Sequence, residues 1–356
     1  MPTAFINGCR LSYAQMYEGT GAPAADIVMT HGLATSMAFW YFNYACQLAK
    51  QYRVTLFDLR GHGRSEMTPS GYSPENLASD LAGLLVHLGV RKAHFLGHSF
   101  GGVVALRYAL EHPDRVRSLI LADTHIAAAR KRKPQDKNAW AHRQSIQAIL
   151  NAHGIDLDVG DPYFGYRLLS RVARMRCAGA DLSQELLEVV TPLTGGAGQR
   201  TSAQWLKLME STSAEQELMS DDGLSLESLR RLTMPIMAMY GDRSPAWLTG
   251  TELLPVWPHG VFRTVRNAGH FFPTTRPGEV LDACRGFFGN RAAQQRPPAR
   301  TGETQCGFFR GNRFFQDQHG WYYSTREEPR VGPFAALEEA ESTFRNAILD
   351  IVMVSS

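Results

Sequence analysis

The sequence GHSFG places a serine, Ser99, between two glycines, Gly97 and Gly101. A short apolar run precedes this stretch and an apolar helical run follows it, which predicts a sharp turn between a strand and a helix. Such a turn exposes the serine Oγ at the carboxyl edge of a sheet, where it can attack a carbonyl carbon once a base removes its proton. The pattern therefore predicts that Ser99 is a nucleophile.

A base for this serine is available in the stretch RNAGHFFP, which contains His270. The stretch follows a predicted strand, Val261–Val265, so His270 is expected on a loop at the same edge of the sheet. The chain order of serine before histidine is the one that accompanies this kind of turn. We therefore predict that His270 is the general base, and that His98, which lies in the turn beside Ser99, serves packing.

Two backbone amides are predicted to hold the oxyanion that forms when the serine attacks. Phe100 begins the helix after the turn, where unpaired N–H groups and the helix dipole favour a negative charge. The loop HGLATS after the strand Asp26–Thr30 supplies the second amide. Gly32 lets the backbone bend there, so the N–H of Leu33 is expected to point at the oxyanion beside that of Phe100.

The elements that must position these residues alternate between short apolar strands and helical patterns. This alternation predicts a parallel sheet covered by helices on both faces. The predicted strands are Asp26–Thr30, Tyr52–Asp58, Ala93–Leu96, Val116–Ala122, Pro235–Tyr240 and Val261–Val265, with a strand or hairpin in Ala4–Tyr17. The predicted helices are Ser73–Leu88, Gly102–Leu110 and Val280–Phe288.

Two segments interrupt the alternation and divide the chain. Residues 126–232 carry helical patterns with no clear strand and are too long for a plain loop, so we predict an inserted helical subdomain. Residues 289–305 are polar and contain two prolines, which predicts a linker. The pattern of residues 306–356 predicts a small domain made of a β-meander and one helix. Residues 1–125 and 233–288 then form the main domain.

Together these motifs resemble the α/β-hydrolase family. The matching pieces, in family order, are HG at 31–32, FDLRGHGRS, GHSFGG, HPDRV, LILADT and AGHF. The resemblance implies an α/β fold with a mostly parallel eight-stranded sheet and a helical cap inserted after the sixth strand. It also implies a serine–histidine–acid triad, with Ser99 as nucleophile and His270 as base. The C-terminal stretch resembles small bacterial domains of unassigned role, so a small α+β domain is expected to follow.

The acid of the triad departs from the family pattern. The family usually places it after the seventh strand as the last residue of G-x-x-D, and here that position holds Ser244. Asp242 lies two residues earlier and is one candidate. Asp123 directly follows the sixth predicted strand, where some family members carry the acid, and we favour it because the end of a strand holds a side chain firmly. A triad is defined by geometry rather than by chain position, so both candidates stay open here.

The expected reaction is hydrolysis of a carboxylic ester or thioester through an acyl-enzyme on Ser99. No metal or organic cofactor is expected. Acyl transfer, C–C bond hydrolysis and lactone hydrolysis on the same triad remain alternatives, as does a binding module without catalysis. Epoxide hydrolases and haloalkane dehalogenases of the family use an aspartate at the nucleophile position, so Ser99 argues against both.

Basic residues are concentrated in the inserted segment. They are Arg130, Lys131, Arg132, Lys133, Lys137, Arg143, Arg167, Arg171 and Arg174. These residues form either a solvated face or a docking surface for an acidic partner, such as an acyl carrier protein or a coenzyme A thioester. Several large apolar side chains of the segment are expected either to line an acyl pocket or to pack the segment: Trp140, Tyr163, Phe164, Trp205, Leu206 and several methionines.

The composition is that of an ordinary globular enzyme. The net charge of the 356-residue chain is +3, which is too small to indicate a nucleic-acid partner. Five widely spaced cysteines without a C-x-x-C pair argue against a disulfide framework or a zinc site and fit a reducing compartment. The N-terminal residues do not resemble a signal peptide and no stretch reaches 18 apolar residues, so a cytoplasmic protein without a membrane span is expected.

Overall fold

The predicted alternation builds one eight-stranded sheet in the computed structural model. Its strands are β1 (Thr3–Ile6), β2 (Cys9–Met16), β3 (Asp26–Thr30), β4 (Arg53–Phe57), β5 (Ala93–His98), β6 (Val116–Ala122), β7 (Ile236–Gly241) and β8 (Val261–Val265). They lie in the order β1-β2-β4-β3-β5-β6-β7-β8. The pairs β1–β2 and β2–β4 are antiparallel, and the other neighbours pair in parallel. The predicted mostly parallel eight-stranded sheet is confirmed.

The structure describes residues 1–130, 137–161, 163–190, 193, 198–253, 255–289, 314–317, 320–323, 331–336, 339–340 and 343. Three predictions fall outside this part of the chain: the linker beyond Gly289, the basic side chains from Arg130 to Arg143, and most of the C-terminal helix.

Helices connect the strands and cover the sheet. They are α1 (Ala38–Trp40), α2 (Cys46–Leu48), α3 (Pro74–His87), α4 (Phe100–Glu111), α5 (Ala127–Arg130), α6 (Lys137–Ala152), α7 (Phe164–Cys177), α8 (Gln184–Val189), α9 (Gly198–Ser211), α10 (Ala214–Leu218), α11 (Leu226–Arg230), α12 (Trp247–Leu253), α13 (Phe272–Thr275) and α14 (Pro277–Gly289). A π-helical stretch, Tyr41–Ala45, joins α1 to α2, and a 3₁₀ turn, Pro113–Arg115, precedes β6. Among the described residues, no helix is both long enough and apolar enough to cross a membrane.

The core lies on both faces of the sheet, as the apolar strands predict. Along β3, Val28 belongs to the cluster that also contains residues of α3 and α4. Its neighbours Ile27 and Met29 belong to a second cluster with the π-helical stretch and α14. Because successive strand residues point to opposite faces, a strand buried on both sides must be apolar throughout, which explains the sequence DIVMT.

The chain between β6 and β7 forms α5 to α11 and contains no strand among its described residues. These helices pack on the main domain through shared apolar contacts and through polar contacts with its loops. The carboxylate of Glu217 accepts hydrogen bonds from the backbone N–H groups of Gly71–Ser73, the shortest being 2.7 Å from Tyr72. The side-chain amide of Gln204 donates to the carbonyl of Gly63 over 3.1 Å. The helical segment is therefore fixed against the loops of the main domain.

A second, smaller sheet lies in the C-terminal part of the chain. Its strands are β9 (Phe314–Asp317), β10 (Gly320–Tyr323) and β11 (Val331–Phe334), and they form an antiparallel meander in the order β11-β10-β9. Tyr323 stacks on Phe334 with ring centres 5.8 Å apart and packs near Ala340. These aromatic side chains therefore pack within the small sheet.

Three buried histidines in the main domain are held neutral. Burial lowers the pKa of His31, His62 and His94 to about 4 in each case. The Nε2 atom of His31 accepts a hydrogen bond from the N–H of Leu59 over 3.1 Å, which a proton on that nitrogen would break. Since an unfolded histidine has a pKa near 6.5, the unfolded chain binds these protons more readily than the folded chain.

We therefore expect the free energy of unfolding to decrease as the pH falls from 7 to 5. A lowered folded-state pKa gives stability that is complete above the unfolded pKa and is lost below it, with a slope of at most about 1.4 kcal/mol per pH unit for each histidine. Urea unfolding at both pH values measures this slope. His94→Gln should reduce it by about a quarter, because His98 is a fourth histidine whose pKa is lowered by burial, whereas replacing the exposed His87 with glutamine should leave it unchanged. Equal slopes in both variants would contradict this assignment.

Candidate active site

The turn at Ser99 joins β5 directly to α4. Ser99 adopts φ 52° and ψ −123°, a strained conformation that lifts its side chain out of the turn. The flanking glycines are required by space, because a Cβ on Gly101 would lie 2.5 Å from the carbonyl oxygen of His31. A Cβ on Gly97 would lie 2.6 Å from the Cα of Gly102. The glycines of the motif therefore allow the close packing that holds Ser99 in place.

His270 lies on the loop after β8 and faces Ser99. Its Nε2 atom is 2.9 Å from the Oγ of Ser99, within hydrogen-bonding distance. The side chain is 17% exposed, so the ring is largely enclosed yet open to the cavity beside it. A histidine in this position can take the serine proton as the hydroxyl attacks a carbonyl carbon.

Asp123 is the acid that contacts His270. It directly follows β6, is fully buried, and has a left-handed φ of 52° that turns its side chain toward the loop after β8. Its Oδ2 atom is 2.6 Å from the Nδ1 atom of His270. Its Oδ1 atom accepts a hydrogen bond from the N–H of Gly241 over 3.0 Å. Ser99, His270 and Asp123 thus form one continuous hydrogen-bonded chain.

Ser244, which occupies the usual position of the acid, forms a hydrogen bond with Asp123, a member of this hydrogen-bonded chain. Its side chain is 1% exposed, and its hydroxyl donates a hydrogen bond to the Oδ2 atom of Asp123. The carboxylate therefore accepts hydrogen bonds from a backbone amide, a hydroxyl and the imidazole. Ser244 therefore supports Asp123 by a hydrogen bond from the position where the family pattern expects the acid.

Asp242, the other candidate acid, points elsewhere. Its Oδ1 atom accepts a hydrogen bond from the N–H of Ala268 over 3.3 Å. The N–H of Arg243 donates to the carbonyl of Ala268 over 3.1 Å. Asp242 therefore braces the loop after β7 against the loop after β8, and no hydrogen bond joins it to His270 in the described part of the structure.

The two predicted oxyanion donors lie beside Ser99. The loop of Leu33 is fixed by the hydroxyl of Thr35, which donates to the carbonyl of Gly32 over 2.6 Å. A Cβ on Gly32 would lie 3.1 Å from the Cβ of Ser99, so this loop approaches the serine closely. Within the described residues, neither the N–H of Leu33 nor that of Phe100 donates to another backbone carbonyl, which leaves both amides available to a ligand.

His98 does more than the packing that the sequence predicted. Burial lowers its pKa well below the usual value, and the neighbouring His270 adds to this effect, so the ring is neutral. Its Nε2 atom lies 3.0 Å from the backbone carbonyl of His270; a carbonyl only accepts, so Nε2 carries the proton. The ring also stacks on Phe39 at 4.6 Å. His98 therefore ties the turn of Ser99 to the loop of His270.

A cavity of about 1100 Å³ opens beside the hydrogen-bonded chain. Its lining includes Ser99, His270, Leu33 and Phe100 from the main domain together with side chains from α6, α7 and α8. Phe164 lines this cavity, as one of the two readings of the sequence predicted. Trp205 instead packs in the core, where its indole N–H donates to the hydroxyl of Ser170 over 3.0 Å.

The cavity wall beside Ser99 thus combines a serine hydroxyl, a histidine imidazole and the backbone N–H groups of Leu33 and Phe100. The arrangement can generate an alkoxide equivalent at Ser99 and can stabilise negative charge that develops on a bound carbonyl oxygen. Among the described residues, no group of three histidine, cysteine or acidic side chains is arranged to hold a metal ion.

Comparison with known proteins gives two matches to family models. A model described as the alpha/beta hydrolase fold matches residues 27–277, and a model described as a domain of unknown function matches residues 299–349. The second match agrees with the predicted C-terminal domain of unassigned role. A curated relative, the soluble epoxide hydrolase of Corynebacterium sp. strain C12, is 28% identical over 302 residues, which cover 80% of this chain and 96% of that protein.

Solved structures share the fold at lower sequence identity. The enol-lactonase of Burkholderia xenovorans LB400 has a TM-score of 0.56 and 22% identity, covering 81% of this chain and all of that one. The esterase RhEst1 of Rhodococcus sp. ECU1013 also has a TM-score of 0.56 and 22% identity, covering 81% of this chain and 98% of that one. Identity this low shows a common fold and leaves the reaction to be argued from the site.

Proposed function

This chain belongs to the α/β-hydrolase family, and on that premise we propose that it is a serine hydrolase that cleaves a carboxylic ester or thioester. The observation that carries the proposal is the hydrogen-bonded chain from Ser99 through His270 to Asp123 at the wall of a large cavity. Each member has the residue type and the contact that acyl transfer requires of it.

In the first half of the proposed reaction, the Oγ of Ser99 attacks the substrate carbonyl carbon as the Nε2 of His270 takes the hydroxyl proton. The carbonyl oxygen gains a full negative charge, which the N–H groups of Leu33 and Phe100 stabilise by donating hydrogen bonds to it. Asp123 holds the imidazole in the tautomer that carries its proton on Nδ1, and its charge stabilises the imidazolium. His270 then gives the proton to the departing alcohol or thiol, which leaves an ester on Ser99.

In the second half, a water molecule enters from the cavity and His270 removes its proton as the oxygen attacks the acyl-enzyme. The same two amides hold the second oxyanion, and collapse of this intermediate returns the proton to Ser99 and releases the carboxylic acid. No step requires a group beyond the side chains and amides named and a water molecule.

The serine also argues against epoxide opening, the reaction named for the relative of 28% identity. A serine that opened an epoxide would become an alkyl ether, which lacks a carbonyl carbon for activated water to attack. A carboxylate nucleophile would instead form an ester that water can cleave. Ser99 thus supports acyl chemistry within the family.

The acyl part of the substrate is proposed to lie against the helical segment. Ile146 and Ile149 of α6, Phe164 and Leu168 of α7, and Val190 after α8 contribute apolar surface to the cavity. Each added methylene of an acyl chain would bury about 25 Å² of apolar area, which contributes on the order of 0.6 kcal/mol of binding free energy. The acyl half of the substrate is therefore proposed to come from a carboxylic acid with an apolar chain.

A carrier-borne thioester is a further form that such a substrate could take. Of the basic residues predicted to dock an acidic carrier, Arg167, Arg171 and Arg174 lie on α7 in the described part of the structure. Arg167 pairs with Asp161 over 3.3 Å and Arg174 with Glu210 over 3.1 Å. Because these pairs already neutralise part of the charge, a small ester or thioester is the primary proposal.

The direct test is hydrolysis of a series of 4-nitrophenyl esters and acyl-coenzyme A thioesters with acyl chains of two to sixteen carbons. We expect kcat/KM to rise with chain length by about twofold to threefold per methylene until the cavity is filled. The Ser99→Ala protein, assayed in parallel, should cleave none of them above background. Absence of activity on every ester and thioester would overturn the proposal.

A further inference from the structure

The cavity has two chemically different walls. One wall is mostly apolar and comes from α6, α7 and α8. The other comes from loops of the main domain beside His270 and contains Arg243, Asn267, Thr275 and Arg276. Two cationic side chains thus belong to the wall that also carries the base, and the helical segment contributes the mostly apolar surface of the same cavity.

The position of the base decides which part of the substrate meets this second wall. In acyl transfer the imidazole gives the proton taken from serine to the departing oxygen or sulfur, so the leaving group must lie within reach of His270. Asn267 is three residues before His270 on the loop after β8, and Arg276 is six residues after it, directly following α13. The leaving group is therefore the part of the substrate closest to the two arginines.

Arg243 is held in place by a neutral partner. Its guanidinium donates a 2.7 Å hydrogen bond to the side-chain carbonyl of Asn267, which leaves its charge uncompensated. Asp242, the neighbouring acid, uses its Oδ1 atom to accept from the amide of Ala268. Within the described residues, neither Arg243 nor Arg276 pairs with a carboxylate, whereas Arg174 on the outer surface does.

The only acidic side chain among the described lining residues is Glu185, at the start of α8 in the helical segment. Asp123 lies behind His270 and does not line the cavity. The wall beside the base therefore presents positive charge to a ligand. A guanidinium with free donors is suited to bind carboxylate or phosphate oxygens in a bidentate manner.

We propose that Arg243 and Arg276 form a subsite for an anionic leaving group, so that the substrate joins an apolar acid to an alcohol or thiol that bears a carboxylate or a phosphate. This inference rests on the proposed serine-hydrolase function. It adds that the two halves of the substrate are distinguished by charge, with the acyl part against the helical segment and the anionic part against the loops after β7 and β8.

The test compares three octanoyl esters whose leaving phenols carry para substituents of different charge. The leaving groups are 4-hydroxybenzamide, which is neutral, 4-hydroxybenzoate and 4-hydroxyphenyl phosphate. We expect kcat/KM for at least one anionic ester to exceed that of the neutral ester by about tenfold at low salt, as a charge-assisted hydrogen bond supplies. Comparing the two anionic esters shows whether the subsite takes a carboxylate or a phosphate. The preference should weaken at high salt, since exposed charges are screened.

The double variant Arg243→Gln/Arg276→Gln should reduce the anionic-to-neutral ratio to about one. The ratio is the readout, because general damage to the fold lowers both rates and leaves their quotient unchanged. Arg285→Gln, on α14 outside the cavity lining, removes one positive charge from an exposed site and should keep the ratio of the unsubstituted protein. An unaltered ratio in the double variant, or no anionic preference to begin with, would overturn the inference.

If the proposed hydrolase function is wrong, the ester experiment gives a result that differs from the loss of the subsite alone. If none of the three esters is cleaved, hydrolysis itself is absent, and the subsite is then tested by binding alone. Calorimetry with the Ser99→Ala protein compares the affinity for the intact anionic and neutral esters, with and without Arg243→Gln/Arg276→Gln. Equal affinities for the two esters would overturn the subsite, and a preference that disappears with the arginines would support it.

Discussion

Asp123→Asn should lower kcat by about 10⁴-fold, whereas Asp242→Asn should change it by less than about threefold. The reason lies in the three partners of the Asp123 carboxylate. The amide of Gly241 donates to Oδ1, so an asparagine would keep its carbonyl oxygen there and turn its NH₂ group toward His270 and Ser244. An NH₂ group donates, which forces His270 to accept at Nδ1 and to carry its proton on Nε2. A protonated Nε2 cannot take the proton of Ser99.

Steady-state kinetics on a 4-nitrophenyl ester measure both variants, and thermal unfolding shows whether each remains folded. Asp242 is the matched control, since it is a nearby acid that contacts a backbone amide of the loop after β8 rather than the imidazole. A large loss in Asp242→Asn, with little change in Asp123→Asn, would contradict the assignment of the acid.

A second variant sharpens this experiment. Ser244 already bonds to the oxygen atom of Asp123 that contacts His270, so an acid at position 244 would lie close to the imidazole. In the Asp123→Asn background, Ser244→Asp should recover at least about tenfold in kcat, because a carboxylate again accepts the Nδ1 proton. Ser244→Asn in the same background is the control and should recover nothing, since it matches the size of aspartate without its charge.

Ser99→Ala should lower kcat by about 10⁶-fold, because the substitution removes the atom that forms the acyl-enzyme. The same variant should fail to react with a fluorophosphonate probe, which labels a serine only when a neighbouring base activates it. The unsubstituted protein should be labelled at Ser99, as read by mass spectrometry of the peptide that contains it.

The matched control for labelling is Ser36→Ala, which removes another serine near the loop of Leu33 without touching the hydrogen-bonded chain. It should be labelled like the unsubstituted protein. Efficient turnover by Ser99→Ala, or a folded unsubstituted protein that the probe does not label, would contradict the assignment and favour a binding role for this fold.

The sequence predicted Ser99, His270 and the sheet because their signals are local. A strand, a tight glycine-flanked turn and a helix are contiguous in the chain, and the strands from β3 to β8 lie at or within a few residues of their predicted positions. The acid is different. Asp123 and Ser244 are 121 residues apart, and their contact depends on β6 lying beside β7 in a particular register. No local pattern reports such a register.

Two features were missed in the sequence for physical reasons. The helical stretch from α1 to α2 has no side-chain cap at its start and no clean polar face, so its sequence lacks the usual helix signals. The bond from His98 to the carbonyl of His270 joins positions 172 residues apart. The GHS sequence gives one usable hint, since a histidine fully buried next to a nucleophile must find a hydrogen-bond partner.

The position of Asp123 also has a consequence for how this protein can diverge. Since the carboxylate comes from the end of β6, its hydrogen bonds from β7 and the following loop are those of the Gly241 amide, at the end of the strand, and of the Ser244 hydroxyl. Arg243 lies between these two residues in the chain but extends to the cavity instead. Mutations at position 243 can therefore change which molecules are accepted while the reaction chemistry is preserved. Such separation makes an enzyme evolvable, because new specificities can arise without passing through inactive ancestors.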